Sequence, residues 1–323
     1  MTSDSLRLLI CSAGRRVGLL QSFRAAADRL SMGLEVIACD LNPDDSAACA
    51  LADAALPVPR CDDPGYAEAV LDVTREHGIN LVVPTIDPEL LPLAQAHDDF
   101  ARLGARLHVS PTSVIEVVRD KQRTSEVLAA AGVPVPRTFD QAGLLANPDQ
   151  ISWPVFAKPS GGSASRGLEV FDRAEDIPAE FSEPMIFQDM LRGPEYTINM
   201  FVDASGQLRT VIPHLRMQVR AGEVEKGETR RRADLHEAAE GIARALPDLR
   251  GVACFQVIDD PDLGPRVIEI NARFGGGYPL ADHAGAHFAQ WLLEEVSGRP
   301  CSAHDNWREG VKMMRYDCAV YQG

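Results

Sequence analysis

Hydrophobic and polar positions follow two different patterns in the first third of the chain, one typical of strands and one typical of helices. Short apolar runs predict five buried strands, at residues 6–13, 34–40, 54–59, 79–87 and 105–110. Segments with the periodicity of amphipathic helices lie between several of these strands, at 17–30 and 66–78. Strands and helices in alternation predict a parallel, doubly wound sheet, which binds ligands at the carboxyl ends of its strands.

The pattern changes after residue 113. The later part of the chain predicts helices at 114–132, 235–246 and 284–298. It predicts strands at 153–159 and 168–171, two strands within 196–217 and a hairpin within 251–274, and it contains a further apolar run at 183–191. A length of 323 residues exceeds what one hydrophobic core usually organises. We therefore expect two or three packed domains, an α/β part followed by an α+β part.

The net charge and the cysteine content limit the partners and the cellular location that we expect for this chain. The formal net charge of −15 argues against broad contact with nucleic acid or an anionic membrane. Seven cysteines without a C-x-x-C pair favour a reducing, cytoplasmic location. No signal peptide is indicated at the first residues, and no apolar run approaches the ~18 residues of a membrane span. Small molecules are the expected partners.

Alternation within VIEINARFGGGYP (267–279) places polar groups on one face of a predicted strand. Glu269, Asn271 and Arg273 would share that face, with Ile268 and Ile270 on the other. Gln256, on the preceding strand, faces the same side in this interpretation. These oxygens suit Mg²⁺ together with phosphates, and the guanidinium suits a transferring phosphoryl group. The alternative is a half-exposed edge strand with an ordinary salt bridge.

Two further segments have the composition of nucleotide-binding loops. SGGSASRG (160–167) follows Lys158, and its small residues let backbone N–H groups approach an anion. In QDMLRGPE (188–195), an extended hinge offers backbone groups to an adenine edge, and Glu195 offers a carboxylate to a ribose. The alternatives are a flexible hairpin with a solvated lysine for the first segment and a surface loop for the second.

These motifs, taken in order from Lys121 to IEINAR, resemble the ATP-grasp superfamily over about residues 114–300. The Gln256 and IEINAR combination is most similar to half of a carbamoyl-phosphate synthetase large chain. The stretch LRGPEYTI is also similar to D-alanine–D-alanine ligases. The resemblance implies a Rossmann-like preATP-grasp domain at 1–113, a small ATP-grasp lobe with a glycine-rich flap at 114–190, and a large lobe with the metal site at 191–323.

The resemblance also implies roles for individual residues. ATP would be held by two phosphate-binding lysines, the flap, the hinge and a ribose carboxylate, here Lys121, Lys158, Ser160, Gly161, Gly162, Ser163, Ser165, Gln188, Asp189, Leu191 and Glu195. Two Mg²⁺ ions, replaceable by Mn²⁺, would bind Gln256, Glu269 and Asn271. Gln256 replaces the commoner acid, so one ion should bind more weakly. Arg273 would steady an acyl phosphate.

Substrate contacts are predicted with several alternatives open. Arg15 and Asp87 follow strands of the first domain and would face the cleft between domains. Arg216 and Arg220 lie in the arginine-rich segment 213–232, which is either a ligand-binding loop, with Arg216 acting together with Lys158 and Arg273, or a solvated hairpin. Gly275 and Gly276 either permit close substrate approach or form a tight turn.

The activity implied by the resemblance is an ATP- and Mg²⁺-dependent carboxylate–amine ligase that releases ADP. Two other functions stay open. One is a nucleotide-binding sensor or partner subunit without turnover, and the other is a kinase that releases an acyl or carbamoyl phosphate. A homodimer is common in similar folds.

Overall fold

The computed structural model describes residues 5–161 and 167–321. Its first part is a five-stranded parallel sheet in the order β3-β2-β1-β4-β5. The strands are β1 (Ser5–Ile10), β2 (Gly33–Asp40), β3 (Ala54–Pro57), β4 (Leu81–Val83) and β5 (Arg106–Leu107). The helices are α1 (Val17–Leu30), α2 (Ala47–Leu51), α3 (Tyr66–His77), α4 (Leu90–Gln95) and α5 (His97–Arg102). The strand order reverses at β1 and β4, so the segments that follow these two strands border the crevice where such sheets bind ligands.

Two helices and a small antiparallel sheet follow. The helices are α6 (Thr112–Arg119) and α7 (Lys121–Ala130), and the sheet has the order β6-β9-β7-β8. Its elements are β6 (Thr138–Phe139), α8 (Gln141–Ala146), β7 (Val155–Pro159), β8 (Glu169–Phe171) and β9 (Met185–Asp189). This lobe buries a small hydrophobic cluster of its own around Phe187 and Val155.

The last part is a six-stranded antiparallel sheet in the order β14-β13-β10-β11-β12-β15. Its elements are β10 (Glu195–Val202), β11 (Leu208–Arg220), β12 (Glu223–Thr229), α9 (Ala233–Ala245), β13 (Gly251–Asp260), β14 (Gly264–Asn271), α10 (Tyr278–Ala284), α11 (Phe288–Val296) and β15 (Lys312–Met314). One core joins Leu9 of the first domain to Ile198 of this sheet, and a second joins Leu8 to Trp291. The first domain and the large sheet therefore pack as one body around shared cores.

The expected class, a parallel-sheet domain followed by antiparallel sheets, is confirmed, but two predicted helices have different bounds. The helix predicted at 114–132 is interrupted at Asp120, whose backbone is extended and whose carboxylate accepts from the N–H groups of Gln122 and Arg123. The closing helix begins at Phe288 rather than at 284, because α10 precedes it and Gly285, at φ 110°, separates the two. Periodicity alone does not locate such caps.

Candidate active site

A cleft of about 430 Å³ lies between the first domain, the start of α7 and one face of the six-stranded sheet. It brings together residues from distant parts of the sequence: Arg16, Asp87, Lys121, Glu195, Arg216, Glu223, Gln256, Glu269, Asn271, Arg273 and Gly275 to Gly277. The parallel sheet contributes the segments that follow β1 and β4, as its topology predicts. The antiparallel sheet contributes side chains from five neighbouring strands, β14, β13, β10, β11 and β12.

The metal-ligand candidates lie side by side on that sheet face. Gln256 on β13 pairs directly with Glu269 on β14, and Asn271 pairs with Cys254. Asn271 Nδ2 donates to Glu269 Oε1 at 3.1 Å. The alternation predicted for Glu269, Asn271 and Arg273 therefore places all three toward the cleft.

Ile268 does not share the apolar face with Ile270. The β13–β14 register shifts between Gln256 and Val257, which leaves Ile268 as the extra residue of a β-bulge. Ile270 is buried in the core, whereas Ile268 is only half-buried and its carbonyl accepts from Lys158 Nζ at 3.0 Å. The bulge thus turns a backbone acceptor toward the small lobe.

Glu195 extends the same row of polar groups. Arg216 Nη1 forms an ion pair with Glu195. With the Gln256 amide turned so that both of its ends are satisfied, Gln256 Oε1 would accept from Arg216 Nη1 at 2.8 Å, and its Nε2 would donate to Glu195 at 3.2 Å and to Glu269 at 3.3 Å. Burial, with Glu269 nearby, raises the pKa of the Glu195 carboxyl, and Arg216 partly offsets the rise. Arg216 also binds the Gly222 carbonyl at 2.8 Å, so it is held inside the site and is not a solvated hairpin residue.

Arg273 spans the boundary between the two domains. Its Nη2 donates to Asp87 Oδ2 at 2.5 Å and to Asn271 Oδ1 at 3.1 Å. Its buried Nε has no hydrogen-bond partner among the described residues. Its Nη1 donates to the Phe274 carbonyl at 3.0 Å. The guanidinium is thus a fixed positive charge in the cleft lining, which suits an anionic ligand.

Two lysines converge on the same region from the small lobe and α7. Lys158 is buried, and burial lowers its pKa to about 8, although Glu269 opposes the shift. Lys121 Nζ donates to the Pro159 carbonyl at 3.3 Å, and burial lowers its pKa as well. Ser160 Oγ donates to Asp120 at 2.9 Å, which ties the start of the predicted flap to the start of α7. Gly161 follows directly, and Gly162, Ser163 and Ser165 lie outside the described residues.

Several polar groups of the predicted adenine hinge form hydrogen bonds to neighbouring residues of the same lobe. Gln188 Nε2 donates to Thr138 Oγ1 at 2.9 Å, so the side chain is directed into the small lobe. Asp189 receives its own ion pair from Arg137 at 2.9 Å and donates its N–H to the Arg137 carbonyl at 3.1 Å. Leu191 is buried next to them. A base contact here would rely on the remaining backbone groups of the hinge.

Two substrate predictions need correction. Arg15 is exposed and lies outside the cleft lining, whereas its neighbour Arg16 lines the cleft and donates to Glu223 Oε1 at 2.8 Å. Arg220 is half-exposed and ion-paired with Asp317 and Glu225, also away from the lining. The segment 213–232 contains the β11–β12 hairpin, as one alternative predicted, and of its arginines Arg216 alone lines the cleft.

The sequence interpretation singled out neither Glu223 nor Arg315, and it named Arg15 where the structure brings Arg16 into the cleft lining. Arg315 Nη1 donates to Glu223 Oε2 at 2.9 Å, and its Nη2 donates to the Gly276 carbonyl. No motif identifies Arg315, which follows the edge strand β15. A Cβ on Gly276 would lie 2.3 Å from the Glu223 carboxylate, so the glycine permits a close approach at this point.

The oxygen donors of the site are compatible with Mg²⁺. Residues 5–161 and 167–321 contain no group of three or more His, Cys, Asp or Glu side chains placed to hold a metal. One carboxylate with amide oxygens, as at Glu269, Asn271 and Gln256, matches the way Mg²⁺ binds with substrate phosphates completing its shell. In the same described residues, every helix is too short or too polar to cross a membrane.

Two family models match separate parts of the chain. Residues 8–108 match the model described as "PylC-like, N-terminal domain", and residues 181–318 match "ATP-grasp in the biosynthetic pathway with Ter operon". The first covers the parallel sheet and the second the six-stranded sheet with its cleft face. The matched regions thus include both walls of the candidate site.

Curated relatives are similar over part of their length. A formate-dependent phosphoribosylglycinamide formyltransferase of Synechococcus sp. (strain CC9605) is 31% identical over 168 residues, which is 50% of this chain and 39% of that protein. The carbamoyl phosphate synthase large chain of Mycobacterium tuberculosis (strain CDC 1551 / Oshkosh) is 33% identical over 84 residues, 24% of this chain and 7% of that protein. The chain therefore spans well under two thirds of either relative.

Among solved structures, the fold is similar to a biotin carboxylase–β-γ-ATP complex from Campylobacter jejuni, with a TM-score of 0.75 and 16% identity. The alignment covers 94% of this chain and 73% of the carboxylase. At this identity the likeness concerns the fold.

Proposed function

We propose that this chain, which matches an ATP-grasp family model over residues 181–318, is an ATP- and Mg²⁺-dependent ligase that activates a carboxylate as an acyl phosphate and joins it to an amine. The observation that carries the proposal is the row of Glu269, Asn271 and Arg273 on one wall of the cleft, facing Asp87 of the first domain. A metal-binding edge and a phosphoryl-binding guanidinium are thereby adjacent.

In this proposal the nucleotide lies between the small lobe and the six-stranded sheet. Lys121 and Lys158 would bind its phosphates, and the hinge at Asp189 to Leu191 would contact the base. The glycine-rich segment 160–167 is assigned here to phosphate binding, although residues 162–166 lie outside the described residues. Glu195 lies on the sheet face next to Gln256, where Arg216 holds it in an ion pair, and it would accept from the ribose hydroxyls.

Gln256, Glu269 and Asn271 would hold the magnesium. Mg²⁺ bound there would neutralise charge on the phosphates, and two ions, or Mn²⁺ in their place, are part of the proposal. Arg273 would orient the terminal phosphoryl group, and Arg216 would hold Glu195 and Gln256 in place. The residues position and stabilise charge, and no nucleophilic side chain is required.

The proposed chemistry has two steps. A carboxylate oxygen of the substrate attacks the γ-phosphorus and breaks its bond to the bridging oxygen, so that ADP leaves and an acyl phosphate forms. An amine then attacks the acyl carbon, phosphate leaves, and the amine proton passes to solvent. The substrates are small molecules, and a cytoplasmic location and a homodimer belong to the same proposal.

The decisive experiment follows ADP release with Mg²⁺–ATP over a panel of carboxylates, each with and without a panel of amines. The proposal predicts that one carboxylate–amine pair stimulates ADP and phosphate release and yields an amide. Release that needs a carboxylate but no amine would indicate an acyl-phosphate kinase instead. Tight Mg²⁺–ATP binding without turnover for any pair would indicate a sensor.

A further inference from the structure

Two arginines from opposite ends of the chain hold one carboxylate at the glycine-lined end of the cleft. Arg16 Nη1 donates to Glu223 Oε1 at 2.8 Å, and Arg315 Nη1 donates to Glu223 Oε2 at 2.9 Å. Each carboxylate oxygen therefore has its own guanidinium. This is the arrangement by which proteins recognise the carboxylate of a ligand, but here the carboxylate belongs to the chain itself.

The main chain beneath Glu223 leaves no room for a side chain. A Cβ on Gly276 would lie 2.3 Å from Glu223 Oε2, and the Gly276 carbonyl accepts from Arg315 Nη2. The carboxylate therefore rests directly on the glycine backbone. Close backbone approach of this kind is what a small ligand at this position would also need.

Glu223 reaches this position from a hairpin tip. It is the first residue of β12, directly after Ala221 at φ 50° and Gly222 at φ 78°. Its side chain is 39% exposed and lines the same cleft as Asp87 and Arg273. Ion pairs at partly exposed positions add little stability, so a competing carboxylate could replace Glu223 at low cost.

The local charge favours an anionic ligand. Arg16 and Arg315 carry two positive charges and Glu223 neutralises only one of them. Asp87 and Arg273 on the adjoining wall neutralise each other. If Glu223 moved away, Arg16, which lines the cleft, and Arg315, behind Glu223, would lose the carboxylate that lies between them.

We propose that Arg16 and Arg315 recognise a carboxylate handle on a small-molecule substrate, and that Glu223 occupies this subsite until the substrate displaces it. The proposal rests on the proposed ligase function and names its substrate class. The handle is a carboxylate separate from the group that reacts near Arg273. Glu223 is thereby a specificity determinant, because only an anion competes for its two arginines.

The test titrates succinate, with Mg²⁺–ADP present, into the wild-type chain and into Glu223→Gln and Glu223→Ala. If Glu223 leaves the subsite open for about a tenth of the time, removing its charge lowers the apparent Kd for succinate about tenfold. The matched control is Glu225→Gln, which alters the same strand by the same charge at an ion pair with Arg220 outside the cleft lining. This control should bind succinate as the wild type does.

Adding Arg315→Gln to either Glu223 variant should abolish the gain. The proposal is overturned if both folded Glu223 variants bind succinate no better than the wild type, or if Glu225→Gln shows the same gain. A gain for inorganic phosphate but not for succinate would assign the subsite to a phosphate group and overturn the carboxylate class. Mg²⁺–ATP binding and ADP release are measured separately from succinate binding. If the succinate results overturn the subsite, the ligase proposal still stands. If the succinate results support the subsite but no substrate pair gives turnover, only the ligase proposal is rejected.

Discussion

Arg273 Nη2 lies 2.5 Å from Asp87 Oδ2, although 186 positions separate the two residues in the sequence. The contact joins the segment after β4 of the parallel sheet to the segment after β14 of the antiparallel sheet. Both side chains are largely buried, so the pair fixes the Arg273 guanidinium where the two domains meet. The position of the Arg273 guanidinium therefore depends on both domains.

Replacing Arg273 with lysine should strongly reduce turnover. Lysine keeps the charge but loses the planar fork that contacts Asp87 and Asn271 together. We expect the rate of ADP release to fall by about 10²–10³-fold, with Mg²⁺–ATP still bound. Arg24→Lys, at a half-exposed ion pair with Asp53, is the matched control. A wild-type rate for Arg273→Lys would rule out its role in phosphoryl transfer.

Gln256→Glu should tighten metal binding. A third carboxylate beside Glu195 and Glu269 raises the negative charge of the site, and affinity for hard cations rises with the charge of the ligand set. We expect the Mg²⁺ concentration for half-maximal ADP release to fall roughly fivefold. Gln218→Glu, an exposed position on β11, should leave it unchanged. Equal effects of the two variants would show that Gln256 lies outside the metal site.

Nucleotide binding should take up a proton at Lys158 in mildly alkaline solution. Burial lowers the pKa of Lys158 to about 8, and bound phosphates would raise it again. At pH 8.5 we expect an uptake of about 0.7 proton per Mg²⁺–ATP bound, and progressively weaker binding as the pH rises further. Calorimetry in two buffers of different ionisation enthalpy measures the uptake. Lys158→Met should abolish it, and an unchanged uptake in that variant would assign the proton to another group.

Acid should destabilise the fold through its buried histidines. Burial lowers the pKa of His108 and His214 to about 3, with nearby arginines adding to the effect. The unfolded state binds the extra protons below pH ~6.5, so the stability contributed by each neutral histidine is present above that pH and is lost as the pH falls toward 3. At pH 5 the loss amounts to about 2 kcal/mol per histidine.

Denaturant unfolding at pH 7 and pH 5 measures this loss. His108→Gln should show a smaller fall in the free energy of unfolding between the two pH values than the wild type, by about 2 kcal/mol. His97→Gln, at a half-exposed position, should show the wild-type fall. If His108→Gln also shows the wild-type fall, His108 does not carry the acid sensitivity.

The sequence by itself determined the order of the elements and the polar face of β14. Alternating apolar runs indicated a parallel sheet in the first third, and the spacing of Glu269, Asn271 and Arg273 indicated one polar side. All three line the cleft, with Glu269 and Asn271 on β14 and Arg273 just beyond its end. These features depend on local periodicity, which a sequence displays directly. Lys158 and Gln256 were found because motifs mark them.

Only the tertiary structure decided what those residues contact. The bulge at Ile268 depends on a register shift between β13 and β14. The ion pairs of Glu223 with Arg16 and with Arg315 depend on packing between segments that are far apart in the chain. A shift of one residue turns a side chain to the other face, and no short-range pattern records which distant segment lies opposite. The contacts at the ends of the cleft therefore could not be predicted from the sequence, whereas the polar face of β14 could.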